Sequence, residues 1–217
     1  MVVYYRTMNA QTHGREALFT YIHDTNRWGS PESLSGPGAE MRQTKAIRTG
    51  LAQILTAFAI SSMLDVPCGD FNWMQHVAGL DGLDRYIGAD IVTALVDALR
   101  ERYESGNRTF SVLDLTTDKL PAVDLIFVRD AMVHMTLADG LAAIANIKRS
   151  RATYLMATTY PAVTNNIDTE EAHWRPLNLR LAPFHMPAPL DHVVTDFTDG
   201  GKHFPGNGMS LWLVNDL

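Results

Sequence analysis

Four acidic residues stand where short apolar runs end: Asp65, Asp90, Asp114 and Asp130. The first opens the turn Asp65–Val66–Pro67–Cys68–Gly69–Asp70. A pyrophosphate site would show Gly-x-Gly-x-x-Gly here, with helix amides facing the phosphates. This turn has one glycine flanked by acid. It repels phosphate and suits a ligand with an ammonium group and several hydroxyls. Asp90 follows Asp65 by 25 positions, a fitting place to accept two ribose hydroxyls. Asp130 and His134 are four apart; a helical turn would put both on one face, as candidate general bases. Each residue has a plainer reading. A strand-end Asp often caps a helix, Cys68 without a partner His packs as a small apolar group, and His134 suits a core. Four acids in register fit the plain reading less well than one. His185, His192 and His203 lack ligand spacing, and one cysteine builds no Cys-based zinc site, so no metal is expected.

The elements that position these residues are legible in the apolar periods. Leu18, Tyr21 and Ile22 recur at helical spacing in residues 15–24, and 26–40 is a Gly, Ser and Pro-rich loop. From about Glu40 to Ile60 the positions Ile47, Leu51, Ile54, Leu55 and Phe58 predict a helix with one buried face. Strands are expected at 61–67, 86–90, 109–115, 123–130 and 152–160, and helices at 71–80, 92–104 and 137–150. Leu125 to Val128 is apolar on both faces, as in a central strand. This alternation predicts an α/β fold with a doubly wound, mostly parallel sheet and helices on both faces. Ligands of such sheets bind at the carboxyl ends of the strands. Residues 161–190 hold five prolines and little periodicity, which reads as a functional insertion. Residues 192–198 and 210–216 are expected to add an antiparallel hairpin.

The chain has 217 residues, 46% of them hydrophobic and 19% charged. That suffices for one core, so a single domain over 1–217 is expected. The net charge is -6 at pH 7 and no cluster of Lys and Arg occurs. Nucleic acid is therefore not an expected partner. No apolar run approaches the ~20 residues of a membrane span, and the first residues do not read as a signal peptide. A cytoplasmic protein is the default expectation. The oligomeric state, monomer or homodimer, is left open.

LDVPCGDFNW resembles motif I of the class I S-adenosylmethionine (SAM)-dependent methyltransferases, with Asp65, Cys68 and Gly69 in register. YIGAD, LDL around Asp114 and DLIFVRDAMVHM are similar to that family's next three motifs, over roughly residues 60–160. Trp28–Gly38 and Trp174–Leu179 are similar to the W-G-S-x-E-S-x-S-G-x-G and W-R-P-L-N-L segments of a bacterial subgroup. The resemblance implies a Rossmann-like seven-stranded sheet, SAM as cofactor and methyl transfer (EC 2.1.1.-). It implies that the Asp65, Pro67, Cys68 and Gly69 loop faces the methionine moiety. Asp90, with Ile91 beside it, would hold the ribose. Asp114 would accept from the adenine amine, with Leu115 on the ring. Arg129 would lie beside the methionine end, and Asp130 would point at the acceptor. Pro67 and Phe71 depart from the motif's glycines, and Phe71 is expected to crowd the methionine end.

On the acceptor side, Asp130 or His134 would deprotonate or orient the acceptor. Residues 1–45 are expected to form a lid or cap, and 161–190 a substrate loop. Trp28, Ser35, Tyr160, Trp174, Arg175 and Asn178 are the candidate substrate contacts. The serines of the 26–40 loop could bind phosphate or sugar, and Arg175 could clamp an anion. Their plain readings are a solvated linker and ordinary loop packing. The expected reaction methylates a hydroxyl or amine of a small polar molecule: a sugar, nucleotide-sugar or natural-product precursor. A macromolecular acceptor fits the acidic balance less well. The alternative is a SAM-binding regulatory or assembly protein that does not methylate.

Overall fold

The computed structural model describes residues 14–195, 198–199 and 202–217, the pairs 198–199 and 202–203 in backbone only. The first 13 residues of the expected 1–45 cap, with their leader reading, lie outside the described residues. So does the His203 side chain.

The chain order is α1 (Arg15–Asp24), α2 (Lys45–Ala57), β1 (Ser62–Asp65), β2 (Arg85–Asp90), α3 (Thr93–Tyr103), β3 (Arg108–Val112), β4 (Leu125–Val128), α4 (Leu137–Arg149), β5 (Tyr154–Thr159), β6 (Asp191–Val194), β7 (Thr198–Asp199), β8 (Lys202–His203) and β9 (Gly208–Leu213). The main sheet has seven strands in the order β3-β2-β1-β4-β5-β9-β6, while β7 and β8 pair separately. β1 to β5 run parallel, and β9 lies antiparallel to both β5 and β6. This is the mostly parallel sheet with a reversed C-terminal hairpin that the alternation predicts. Because the strands run the same way, Asp65 and Asp90 close β1 and β2 on one edge. Asp114 and Asp130 follow β3 and β4 on that edge by two residues each.

The core has two layers because strand side chains alternate between faces. Leu125 and Phe127 of β4 join Ile47, Leu51 and Ile54 of α2 and Val96 and Leu99 of α3. Ile126 and Val128 join Ala143, Ile144 and Ile147 of α4 on the other face. All four β4 residues are buried, as the unbroken apolar run requires. Helix α4 starts where the Thr136 hydroxyl accepts from Asp139 N at 3.1 Å. Leu177 and Leu179 bring the 161–190 insertion into the second layer. Among the described residues, no helix is long and apolar enough to cross a membrane.

Two expectations fail locally. Residues 71–80 form no helix, only 3-10 turns at Met74–His76 and Leu80–Gly82. Phe71 at φ 59° and Gly79 at φ 86° put the left-handed region at both ends of the segment, which breaks helical continuity. Strand β3 also ends earlier than expected, at Val112. The Asp114 side chain accepts from Thr116 N at 2.8 Å, and that local turn competes with the ladder.

Gly50 of α2 lies against β6, where an added Cβ would stand 2.2 Å from Val193 Cγ1 and 3.0 Å from its Cβ. Gly50→Ala is expected to lower stability by about 1–3 kcal/mol through overpacking, although alanine favours the helix by about 1 kcal/mol. Urea denaturation checks it; a neutral or stabilising change would mean that α2 packs more loosely on β6.

Candidate active site

A cleft of about 490 Å³ opens at the carboxyl edge of the parallel strands, within the usual range for small-ligand sites. Asp65, Asp90, Asp114 and Asp130 all line it. So do Pro67, Cys68, Gly69, Ile91, Leu115, Arg129 and His134, together with Trp28, Ser35 and Trp174. The structure therefore gathers every residue expected to hold the cofactor, both candidate bases and three of the six substrate candidates.

Asp65 and Asp90 are 2% and 7% exposed. Asp65 accepts from the Tyr86 hydroxyl at 2.7 Å. Burial pushes its carboxyl up to about 7, Asp90 adds to that, and Tyr86 and Arg129 oppose it. Burial likewise raises Asp90, against the backbone amides that it accepts from. Those bonds run from Gly69 N at 3.2 Å and Val92 N at 3.1 Å. One carboxylate thus ties the first turn to the approach of α3. The Cys68 thiol is buried and pushed well up by desolvation and the nearby carboxylates, so it is no nucleophile.

The serine-rich loop closes over this turn. Ser33 Oγ and Leu34 N both donate to Asp70 Oδ2 at 2.8 Å, and Asp70 N donates to Ser35 Oγ at 2.9 Å. Asn72 Nδ2 reaches Glu32 and the carbonyl of Ala39, and Arg129 Nη2 reaches the carbonyl of Gly38 at 2.9 Å. Ser30 Oγ donates to Glu40. The Ser30 and Ser33 hydroxyls are thereby committed to Glu40 and Asp70, against their reading as a phosphate or sugar cradle, while Ser35 Oγ accepts from Asp70 N and lines the cleft. Phe71 is a second correction. At φ 59° its ring turns into the core against Tyr86, Tyr103 and Phe110 and is 1% exposed. It does not line the cleft, where the sequence reading expected it to crowd.

Tyr160, Arg175 and Asn178 are not among the residues that line the cleft. Arg175 is buried and donates to the carbonyls of Ile167, Met132 and Met135 at 3.0, 2.6 and 2.6 Å. Each of its three nitrogens thus donates to a backbone carbonyl, and the buried group stands apart from the cleft lining rather than as an anion clamp in it. It instead pins the insertion to the 131–135 turn that carries His134, together with Ala172 N donating to the His134 carbonyl at 2.8 Å. Asn178 Nδ2 binds the carbonyls of Pro161 and Val163. Tyr160 packs edge-on against Trp174 and Phe204.

Asp130 stands at φ 52°, a strained conformation for a non-glycine residue. Its carboxylate accepts from Thr158 Oγ1 at 3.0 Å and pairs with Arg129 at 3.1 Å. The His134 ring lies 5.5 Å from that of Trp28. Burial lowers its pKa to about 4, against the pull of Asp130, so the imidazole is neutral at pH 7. Its Nδ1 is buried without a hydrogen-bond partner among the described residues.

Arg15 escaped the sequence reading. It donates to Asp114 at 3.0 Å, Asp139 at 2.8 Å and Glu171 at 2.7 Å, joining α1 to the rim, to α4 and to the insertion. Its partners are scattered along the chain, so no local period announces them. Phe19, His23 and Trp73 of the cleft wall were missed likewise. Among the described residues, no group of three or more His, Cys, Asp and Glu is placed to hold a metal. His192 instead bonds Ser210 Oγ and the Gly206 carbonyl.

No family model matches the sequence, and no curated protein matches it. Solved structures do. The chain is similar to the N-methyltransferase NodS from Bradyrhizobium japonicum bound to S-adenosylhomocysteine (SAH), with TM-score 0.62 and 13% identity, covering 90% of this chain and 97% of that one. It is similar to magnesium protoporphyrin IX methyltransferase (ChlM) from Synechocystis PCC 6803 bound to SAM, with TM-score 0.61 and 14% identity, covering 95% and 97%. These likenesses show the Rossmann-like methyltransferase fold.

Gly69 has φ +54°, and an added Cβ would lie 2.2 Å from Ser35 Oγ. Gly69→Ala is expected to cost about 1–3 kcal/mol of stability, with Ser35→Ala in the same chain restoring part of it. A urea-denaturation double-mutant cycle measures the coupling. Strict additivity would show that the loop does not press on this turn.

Proposed function

We propose that this protein is a SAM-dependent methyltransferase (EC 2.1.1.-) acting on a hydroxyl or amine of a small molecule. The observation that carries the reading is the convergence of Asp65, Asp90 and Asp114 on one cleft beside Gly69, within a methyltransferase fold. The donor set fits the cofactor: buried carboxylates for an ammonium and ribose hydroxyls, and no phosphate-binding glycine run. NodS and ChlM were solved with SAH or SAM, which supports the same ligand here.

In this reading the Asp65, Pro67, Cys68 and Gly69 turn holds the methionine end. Asp90 and Ile91 hold the ribose, and Leu115 packs on adenine. Asp114 accepts from the adenine amine while keeping its bond to Arg15. When bound, SAM supplies an electrophilic methyl on a sulfonium centre. Trp28, Trp174 and the Asp70-locked loop exclude water, and Asp130 and His134 orient the acceptor. Residues 14–45 serve as the cap and 161–190 as the wall of the acceptor end. A phosphorylated acceptor such as a nucleotide-sugar fits less well, because Arg175 is committed to backbone carbonyls.

Titration calorimetry with SAM tests the cofactor. A raised Asp65 keeps its proton in the folded state between about pH 4 and 7, where the unfolded chain has lost it. The group therefore lowers stability as pH rises through that window. A cationic ligand favours the ionised form. Affinity is expected to climb roughly tenfold from pH 6 to 7.5, with proton release, and to fall once the ligand's amino group titrates near pH 8. Asp65→Asn is expected to flatten the rise. A pH-independent affinity, or no binding, would defeat the assignment.

Catalysis is tested with SAM saturated. Asp130→Asn and His134→Ala are each expected to lower kcat by about 10²-fold or more if the group handles the acceptor proton. Near-normal turnover in both variants would rule both out. Binding without SAH formation against any acceptor would favour the non-catalytic alternative.

A further inference from the structure

We infer that the acceptor end of the cleft takes an amine on an apolar or aromatic body, not a carboxylate or a phosphate. The inference rests on the methyltransferase reading and specifies its second substrate.

The acids sort along the cleft. Asp114 follows β3 and Asp90 closes β2 on one side of β1, which ends at Asp65; β4 lies on the other side of β1, which leaves its end for the acceptor. That end has half-buried ring surfaces. Trp28 sits 6.3 Å from Phe19 and 5.5 Å from the ring of His134, and Trp174 completes the wall. Rings left half open in a cleft suit an apolar body, and the face of an indole attracts a cation.

The charges point the same way. Among the described residues, the cleft is lined by four carboxylates and two guanidinium groups, with no lysine. Neither guanidinium is free. Arg15 meets three carboxylates. Arg129 pairs with Asp130, donates to the Gly38 carbonyl and stacks 5.3 Å over Trp73. An anionic acceptor would find no unpaired cation and would face Asp130. An amine meets a carboxylate whose two oxygens, bonded to Thr158 Oγ1 and to Arg129, each keep a lone pair for a further N–H. Thr158 and Arg129 hold the Asp130 carboxylate in a backbone conformation that costs energy, a sign of a constrained orientation.

The charge balance of N-methylation suits this arrangement. The amine gives its proton to the base at this end, Asp130 or His134, which passes it to solvent, and attacks with its lone pair free. The lone pair forms the N–C bond as the S–C bond breaks, and sulfur keeps that electron pair as a neutral thioether. Positive charge passes from sulfur to nitrogen, toward Asp130. A carboxylate placed there stabilises the transition state more than the free amine.

The test uses the protein saturated with SAH and a matched pair of probes, 2-phenylethylamine and 3-phenylpropanoate, titrated by calorimetry. The amine is expected to bind at least tenfold more tightly. Asp130→Asn is expected to erase that preference, and Trp28→Ala to weaken the amine with SAH affinity retained. In turnover with SAM, the amine should yield an N-methyl product by mass spectrometry. Equal or tighter binding of the carboxylate, or binding of neither probe to the SAH complex, overturns the inference and leaves the methyltransferase reading standing. Failure of SAH itself to bind overturns both.

Discussion

Everything in this cleft depends on carboxylates held out of water at the rim of a parallel sheet. Asp65 and Asp90 end neighbouring strands and are almost wholly buried. Burial above all raises the cost of ionising Asp65; Tyr86 and Arg129 lower it, and Asp90 adds a smaller increase. A fold that keeps such a pair without a lysine or free arginine beside it gains most from a ligand that brings positive charge and hydroxyl donors. The phenol of Tyr86 and the amides of Gly69 and Val92 hold the pair in place meanwhile.

The surrounding structure keeps that rim in shape. The 29–40 segment is fastened to Asp70 through its serine hydroxyls and the Leu34 amide, and to Asn72 through the Glu32 carboxylate and the Ala39 carbonyl. Its Gly38 carbonyl accepts from Arg129. On the far side, Arg175 staples the insertion to the turn bearing His134. Arg15 closes the third side by bridging α1, the β3 rim and the insertion. Each clamp joins segments distant in the chain, so the cleft is a property of the whole fold.

That distance explains what was legible in the sequence. The strands and the two core faces follow from period and composition, and the four acids fall at strand ends, so sheet direction alone brings them together. Arg15, Asp70 and Arg175 act through partners remote in sequence, and nothing local marks them. Arg175 shows the difference most sharply: in the sequence it reads either as an anion clamp or as a residue of ordinary loop packing, and burial against three carbonyls makes it a staple. Phe71 shows the converse, because a left-handed backbone angle reverses which way its ring points.

The most direct measurement is a crystal structure of the protein grown with SAH. The account predicts the ribose hydroxyls within about 3 Å of the Asp90 carboxylate and adenine against Leu115, with the sulfur facing Asp130. Ligand bound elsewhere, or with its adenosine away from Asp90, would contradict it.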